Sequence, residues 1–269
     1  MIVPKLVFII PYMNRPHEKL FFSNYMKYIL EDYDEDDYEI YYSHQIENKP
    51  FSRGGTKNIG FIAIKEKYPE HYKTITFVFN DVDTIPYEKN ILNYITNTGI
   101  VKHFYGFNFT LGGIFSITGE DFERCNGFPN LYGWGMEDNA MQDRVLENNI
   151  KIDRSVFYTL NSNKIINLKS GPIRIINNKD PGDYLKKNLR DNLNNINNLE
   201  YTIICNEENC LKNNVNEFMI NINKFTSLEN PYKQKYYIHD LKKTNLLTPN
   251  LLEKTKRRER WSLHRIQKL

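Results

Sequence analysis

Two pairs of carboxylates stand out because each adjoins an element that could hold it rigidly. Asp81-Val82-Asp83 comes directly after the apolar run 75–79, and Glu137-Asp138 follows a glycine-rich aromatic loop and opens a predicted helix. Carboxylate oxygens are ligands that hard divalent cations prefer, and such a cation can neutralise charge on a phosphate. The two pairs therefore predict a site that holds a metal ion against a phosphorylated substrate.

The elements that must position these residues alternate between strand and helix. The predicted elements are a strand over 6–12, a helix from His17, a strand over 38–46, a helix opened by Ser52 and a strand over 74–80. This alternation predicts an α/β fold with a mostly parallel central sheet flanked by helices, whose ligands gather beyond the carboxyl ends of the strands. Asp81 and Asp83 fall at such an end.

Length and charge favour one large domain with an appendage. The chain has 269 residues, against a usual domain size of about 100 to 200. We assign residues 1–225 to the α/β domain and 226–269 to a polar, basic helical C-terminal extension that includes the run 254–261. The net charge of +3 lacks the strongly basic signature of a nucleic-acid-binding protein, so we expect no specific nucleic-acid partner.

The cysteine count and the hydropathy pattern predict a soluble, cytoplasmic protein. Cys125, Cys205 and Cys210 form an odd set that fits a reducing compartment better than a disulfide framework. The apolar run at the N-terminus is shorter than the roughly 20 residues of a transmembrane helix and lacks a small-residue cleavage site. We therefore expect neither a signal peptide nor a membrane anchor.

Four separated blocks of the chain resemble the β-1,4-galactosyltransferase family, glycosyltransferase family 7. In order, they are residues 8–15, 50–60, 77–86 and, after Gly112-Gly113, 127–138. The resemblance covers roughly residues 6 to 160. It implies a GT-A (Rossmann-like) glycosyltransferase domain, a UDP-sugar donor, a saccharide acceptor, a divalent cation such as Mn²⁺ and inversion at the anomeric carbon.

The resemblance also implies roles for individual residues. Asp138 matches the catalytic base that takes the proton of the acceptor hydroxyl, and Asp83 is the expected metal ligand. The residues expected to bind the donor are Pro11, Tyr12, Arg15, Phe51, Arg53, Asp81, Gly112 and Gly113. Those expected to bind sugar are Thr110, Trp134 and Glu137, with Trp134 as a stacking platform between two glycines.

Three departures from the family pattern bear on the donor and the metal. Met13 stands where an arginine usually precedes the Asn-Arg pair, and Thr110 replaces a tyrosine that crowds the C2 substituent of the donor sugar. A histidine that usually completes the metal site is missing between His103 and His239. The candidates that could complete it are Asn161, Asn163, Asn167 and His239.

The sequence thus predicts a metal-dependent, inverting glycosyltransferase that moves Gal, GalNAc or GlcNAc from a UDP-sugar to a saccharide hydroxyl. A carbohydrate-binding protein of the same fold, with impaired catalysis, is the alternative that the missing histidine leaves open. A phosphohydrolase with Asp81 as nucleophile is a weaker alternative, because it gives Trp134 and the Gly-Gly pair no role.

Overall fold

A mixed sheet forms the centre of the protein in the computed structural model, which describes residues 2–168, 173–177, 190–205, 216–233 and 236–240. The strands are β1 (Leu6–Tyr12), β2 (Tyr38–Gln45), β3 (Thr76–Asn80), β4 (Thr84–Pro86), β5 (Ile100–Tyr105), β6 (Ile114–Thr118), β7 (Lys151–Asp153), β8 (Ile165–Asn167), β9 (Ile173–Asn177), β10 (Asn197–Cys205), β11 (Glu217–Thr226) and β12 (Tyr236–Asp240). The helices are α1 (Pro16–Ile29), α2 (Arg53–Lys67), α3 (Gly119–Arg124) and α4 (Glu137–Glu147).

Eight of the described strands form one sheet in the order β10-β11-β2-β1-β3-β6-β5-β7. β1 pairs in parallel with both β2 and β3, and β11 adds to β2 in parallel. β6 runs antiparallel to its neighbours β3 and β5, and β10 runs antiparallel to β11. The sheet is therefore mostly parallel, as the sequence predicts, with two reversed strands.

Helices cover both faces of this sheet, so its central strand is buried throughout. All seven residues of β1 are buried, which is the pattern of a strand packed on two sides. Ile9 packs on one face with Ile59 and Phe61 of α2, while Phe8 packs on the other with Phe22 of α1. This double packing fixes the carboxyl end of β1 and the turn that carries Arg15.

The start of α2 is anchored to the carboxyl end of β2. The Ser52 hydroxyl accepts a hydrogen bond from the Gly55 N–H at 3.3 Å, and the Ser52 N–H donates to Gln45 Oε1 at 2.8 Å. A serine at this position satisfies an N–H group that the first helical turn leaves without a partner. Arg53, the first residue of α2, is therefore held at the edge of the sheet where the Asp81 pair lies.

One short part of the C-terminal extension that the sequence predicts as helical is a strand, Tyr236–Asp240. Within 226–240, the described residues form a 3-10 turn over Pro231–Lys233 and then β12, which pairs antiparallel with β9. Two adjacent tyrosines and an isoleucine explain the strand, because aromatic and β-branched side chains favour extended backbone. Residues 241–269, including the basic run, lie outside the described residues.

The cysteines also differ from expectation. Cys125 is buried and free, but Cys205 at the end of β10 is disulfide-bonded. Disulfide bonds are typical of oxidising compartments, so the cysteines no longer favour a reducing one. Among the described residues, no helix is long and apolar enough to cross a membrane.

Candidate active site

Three segments of the chain meet beyond the carboxyl end of β3. The Asp81 N–H donates to the Gly113 carbonyl at 3.0 Å, and the Leu111 N–H donates to the Asp138 carbonyl at 3.0 Å. The Gly112-Gly113 pair is thereby tied to Asp81 on one side and to the start of α4 on the other. The structure brings together the acidic pairs and the glycine pair that the sequence singled out.

Gly112 leaves room for the carboxylate of Asp138. A Cβ atom added at Gly112 would lie 2.5 Å from Asp138 Oδ2, a distance that side chains do not tolerate. At Gly113, φ is +70° and an added Cβ would lie 2.4 Å from the Tyr105 carbonyl oxygen. Gly113 therefore requires glycine for reasons of backbone conformation and space, while a side chain at Gly112 would displace the Asp138 carboxylate.

Arg53 joins the two acidic pairs through one guanidinium group. Its Nη2 contacts both carboxylate oxygens of Asp81, at 2.5 and 2.6 Å. Its Nη1 donates to Glu137 Oε1 at 2.7 Å and to Asp138 Oδ2 at 2.6 Å. A planar guanidinium suits such multiple pairing, so Arg53 orients carboxylates from β3 and α4 at the same time.

Two further cations complete the ion-pair cluster around Arg53. Arg15 bonds to Asp83 Oδ2 at 2.8 Å and to Glu18 Oε1 at 3.1 Å, and Lys57 Nζ lies 3.1 Å from Asp138 Oδ1. In formal charges, three cations meet five carboxylates: Arg15, Arg53 and Lys57 against Glu18, Asp81, Asp83, Glu137 and Asp138. Within this cluster of described residues, the carboxylates exceed the cations by two, a difference that one divalent cation would balance.

The two acids that the sequence predicts to do chemistry have opposite electrostatic surroundings. Burial and the neighbouring charge of Asp81 raise the pKa of Asp83, and Arg15 opposes this only in part. Burial also raises the pKa of Asp138, but the charges of Arg53 and Lys57 outweigh it and hold that pKa below the ordinary value. Asp138 is therefore a carboxylate at neutral pH, as a general base must be.

The loop before α4 presents Trp134 at the surface of the site. The Gly133 N–H donates to the Phe51 carbonyl at 3.0 Å, and the Trp134 N–H donates to the Ile175 carbonyl at 2.8 Å. These bonds fix the loop backbone, while the Trp134 side chain stays 43% exposed. An exposed indole on an anchored loop can stack on a flat apolar face of a ligand.

Four other predicted site residues are buried. Pro11 and Tyr12 are buried at the end of β1, where the Tyr12 ring packs edge-on against Tyr42 and His44. Thr110 is buried two residues before Gly112. Glu137 is buried as well, and besides pairing with Arg53 it accepts a bond from the Gly135 N–H at 3.1 Å. The ligand contacts assigned to these four residues stay predictions.

Oxygen ligands for a cation are present around Asp83, but in small number. Asn167, one of the four candidates for the missing ligand, pairs with Thr84 next to Asp83, and its Nδ2 donates to Tyr105 Oη at 3.0 Å. Asn161 and Asn163 are exposed in the turn before β8, and His239 lies in β12 opposite Arg174. Among the described residues, no three His, Cys, Asp or Glu side chains form a metal-binding group. The residues fit a hard cation that takes its remaining ligands from a phosphate, a common arrangement for Mg²⁺.

His103 is a buried residue of this region that the sequence analysis missed as a contributor. Its Nε2 bonds to the carbonyls of Tyr105 and Gly112, each at 3.0 Å, and its Nδ1 accepts from Arg154 Nε at 3.0 Å. The ring is therefore neutral, and burial with the nearby charge of Arg154 lowers its pKa to about 4. No sequence pattern pointed to it, because its role arises from burial and from partners such as Arg154 that are far along the chain.

We predict that His103 makes the protein more stable at neutral than at mildly acidic pH. Since its folded pKa of about 4 lies below the ordinary 6.5, the unfolded chain binds the proton first, and stability rises with pH between these values and is level above them. The full effect is about 3 kcal/mol. Urea unfolding at pH 4.5 and 7.5 should show a smaller pH dependence in His103→Gln, whereas the exposed His71→Gln should match the wild type. An equal pH dependence in all three proteins would show that His103 is not held neutral.

Comparison with known proteins agrees with this architecture. The family described as the N-terminal region of glycosyl transferase group 7 matches residues 2–96, and the one described as the N-terminal domain of galactosyltransferase matches residues 101–166. The catalytic domain of Drosophila β1,4-galactosyltransferase 7, solved with xylobiose, superposes with a TM-score of 0.60 at 20% identity, over 82% of this chain and 94% of that one. The protein thus has the GT-A fold.

Individual curated proteins are also similar to the chain in sequence. It is 33% identical over 162 residues to mouse β-1,4-galactosyltransferase 4, a match that takes in 56% of this chain and 45% of that protein. It is 24% identical over 212 residues to the xylosylprotein 4-β-galactosyltransferase of Caenorhabditis elegans, covering 74% of this chain and 71% of that one. The chain thus spans less than half the length of the mouse relative. It belongs to glycosyltransferase group 7, the family of the β-1,4-galactosyltransferases.

Proposed function

We propose that this protein is a metal-dependent, inverting glycosyltransferase that transfers galactose from UDP-Gal to a saccharide hydroxyl. The observation that carries the proposal is the convergence of Asp81, Glu137 and Asp138 on Arg53, with Asp138 lodged against Gly112. This arrangement lies at the edge of a GT-A sheet, where nucleotide ligands bind. The relatives named above, which are galactosyltransferases, support galactose as the sugar.

In this proposal some of these residues bind the donor and its cation, and others bind or activate the acceptor. Arg15 and Arg53 would bind the diphosphate, and Asp83 with Asn167 would hold the cation, which when bound would supply positive charge to the leaving diphosphate. Asp138 accepts the proton of the attacking hydroxyl as the new bond from oxygen to the anomeric carbon forms and the bond to the diphosphate breaks. Trp134 and Glu137 orient the sugars by stacking and hydrogen bonding.

A structure of a related mutant enzyme supports the choice of cation and substrates. The Drosophila β1,4-galactosyltransferase 7 mutant was solved with manganese, UDP-Gal and xylobiose, and it superposes with a TM-score of 0.62 at 19% identity. We extend those ligand classes to this chain as part of the proposal. The cytoplasmic location and the absence of a nucleic-acid partner stay predictions.

The test is a transfer assay with UDP-Gal, UDP-GalNAc and UDP-GlcNAc against a panel of saccharide acceptors, with Mn²⁺ or with EDTA. We expect Mn²⁺-dependent transfer that inverts the anomeric configuration. If the protein binds sugars but neither transfers the sugar nor hydrolyses the donor, the result would favour the carbohydrate-binding alternative. That alternative draws on one observation, which is that cations engage both oxygens of Asp138.

Thr110 extends the proposal to donors with an N-acetyl group at C2. If this buried side chain lies beside C2, Thr110→Tyr should lower use of UDP-GalNAc or UDP-GlcNAc relative to UDP-Gal. Exclusion of a small group from a pocket typically changes preference by about 10- to 200-fold. Competition assays with paired donors measure this ratio, with Thr110→Ser as the small-residue control. Equal losses for both kinds of donor would remove Thr110 from donor selection.

A further inference from the structure

Lys57 contacts the proposed general base, but the proposed mechanism above gives it no part in binding or catalysis. We infer that Lys57 is a positioning residue, whose ammonium group holds the Asp138 carboxylate in the slot beside Gly112 and keeps it ionised. This inference rests on the proposed function, because it concerns the base of that reaction.

The two cations that hold Asp138 come from one face of α2. Lys57 follows Arg53 by four residues, a spacing that puts both side chains on the same side of a helix. Arg53 Nη1 donates a hydrogen bond to Asp138 Oδ2 at 2.6 Å, and Lys57 Nζ donates one to Asp138 Oδ1 at 3.1 Å. Each carboxylate oxygen thus has its own cation, so the carboxylate cannot rotate without breaking an ion pair.

The burial of Lys57 indicates that it serves Asp138. Lysine is rarely fully buried without a partner, yet Lys57 is only 1% exposed. Its Nζ lies 4.4 Å from the centroid of the Phe128 ring, a cation–π contact that helps to hold the ammonium. Among the described residues, the ion pair of Lys57 is with Asp138. A buried ammonium aimed at one carboxylate sets the position of that carboxylate.

Of the two cations that contact Asp138, Lys57 is paired with fewer carboxylates among the described residues. In the part of the chain that the structure describes, the charged and titratable groups that face Asp138 are Arg53 and Lys57 from α2, Glu137 beside it on α4 and His103 from β5. Arg53 divides its charge among Asp81, Glu137 and Asp138, and His103 is neutral at ordinary pH. The ionisation of Asp138 therefore depends strongly on Lys57, because an opposite charge at this distance typically lowers a carboxyl pKa by about 1 to 3 units.

The test replaces Lys57 with a side chain of similar length, either neutral (Lys57→Met) or charged (Lys57→Arg). Lys65→Met is the matched control, since Lys65 lies on the same helix and pairs with Glu123 away from the site. With Mn²⁺ at saturation, so that the raised pKa of Asp83 does not set the acidic limb, that limb of the kcat/KM profile should move up by about 1 pH unit or more in Lys57→Met, with about a tenfold loss on it. Lys57→Arg and Lys65→Met should keep the wild-type limb. If Lys57→Met lowers activity but leaves the acidic limb of the kcat/KM profile where it is in the wild type, the role of Lys57 is only structural.

A second measurement needs no enzymatic activity. The side-chain carboxyl ¹³C signal of Asp138, assigned by its loss in Asp138→Asn, can be titrated in the wild-type protein and in the Lys57 variants. We expect a pKa below the ordinary value of 3.8 in the wild type and a raised one in Lys57→Met. A wild-type pKa at or above that value overturns the inference even if Lys57→Met fails to fold. Failed transfer together with the expected titration would reject the proposed function while leaving the positioning role intact.

Discussion

Replacing Asp138 by asparagine is expected to lower sugar transfer by about 10² to 10⁴-fold while leaving UDP binding nearly intact. Asparagine keeps the shape of the side chain between Gly112 and the cations of α2, but its amide cannot take the proton of the acceptor hydroxyl. Initial rates of transfer and calorimetric titration with UDP measure the two quantities separately. Thermal melting checks that the variant folds, because its amide NH₂ group faces Arg53 or Lys57.

Asp36→Asn is the matched control for Asp138→Asn. Asp36 is exposed before β2 and belongs to no part of the site, so the same chemical change there should leave transfer unchanged. Unchanged turnover in a folded Asp138→Asn protein would remove Asp138 from the proposed mechanism and leave Glu137 as the next carboxylate to examine.

Asp83→Ala is expected to weaken Mn²⁺-dependent binding of UDP by about 100-fold or more. Loss of a residue that only supports a metal ligand typically costs 10- to 100-fold in metal affinity, and loss of a ligand should cost at least as much. The substitution also deprives Arg15 of its 2.8 Å partner, so UDP binding must be compared with and without the cation. Calorimetric titrations with Mn²⁺ and with EDTA provide that comparison.

Two results would contradict the assignment of Asp83 as a metal ligand. If the wild type binds UDP equally well with Mn²⁺ and with EDTA, or if Asp83→Ala retains the full effect of Mn²⁺, then Asp83 is not a metal ligand. Asp153→Ala is the matched control, because Asp153 lies in β7 at the far edge of the sheet and should behave as the wild type.

The strongly patterned elements of the fold could be predicted from sequence. Continuous apolar runs predicted β1 and β3, and a serine before a glycine-rich segment predicted the start of α2. These signals are local, so a single segment carries them. The reversed direction of β6 and the return of β11 to pair with β2 could not be predicted, because pairing between distant segments depends on the whole chain.

The site shows the same division between local and long-range information. Asp81, Asp83 and Asp138 could be found because their residue types and neighbours suggest chemistry. Lys57 and His103 were missed because their significance arises only from burial and from partners far along the chain, such as Asp138 for Lys57. The spacing of four between Arg53 and Lys57 was a usable signal, since it predicts a shared helix face.

The excess of carboxylates in the ion-pair cluster predicts a negative potential at the site, which bears on how the nucleotide sugar arrives. A diphosphate anion that approaches alone is repelled, so its association should be slow until a cation precedes or accompanies it. Monovalent salt screens such fields beyond about 8 to 10 Å. Raising ionic strength should therefore speed nucleotide association in cation-free buffer and slow the capture of Mn²⁺, opposite trends that stopped-flow measurements can separate.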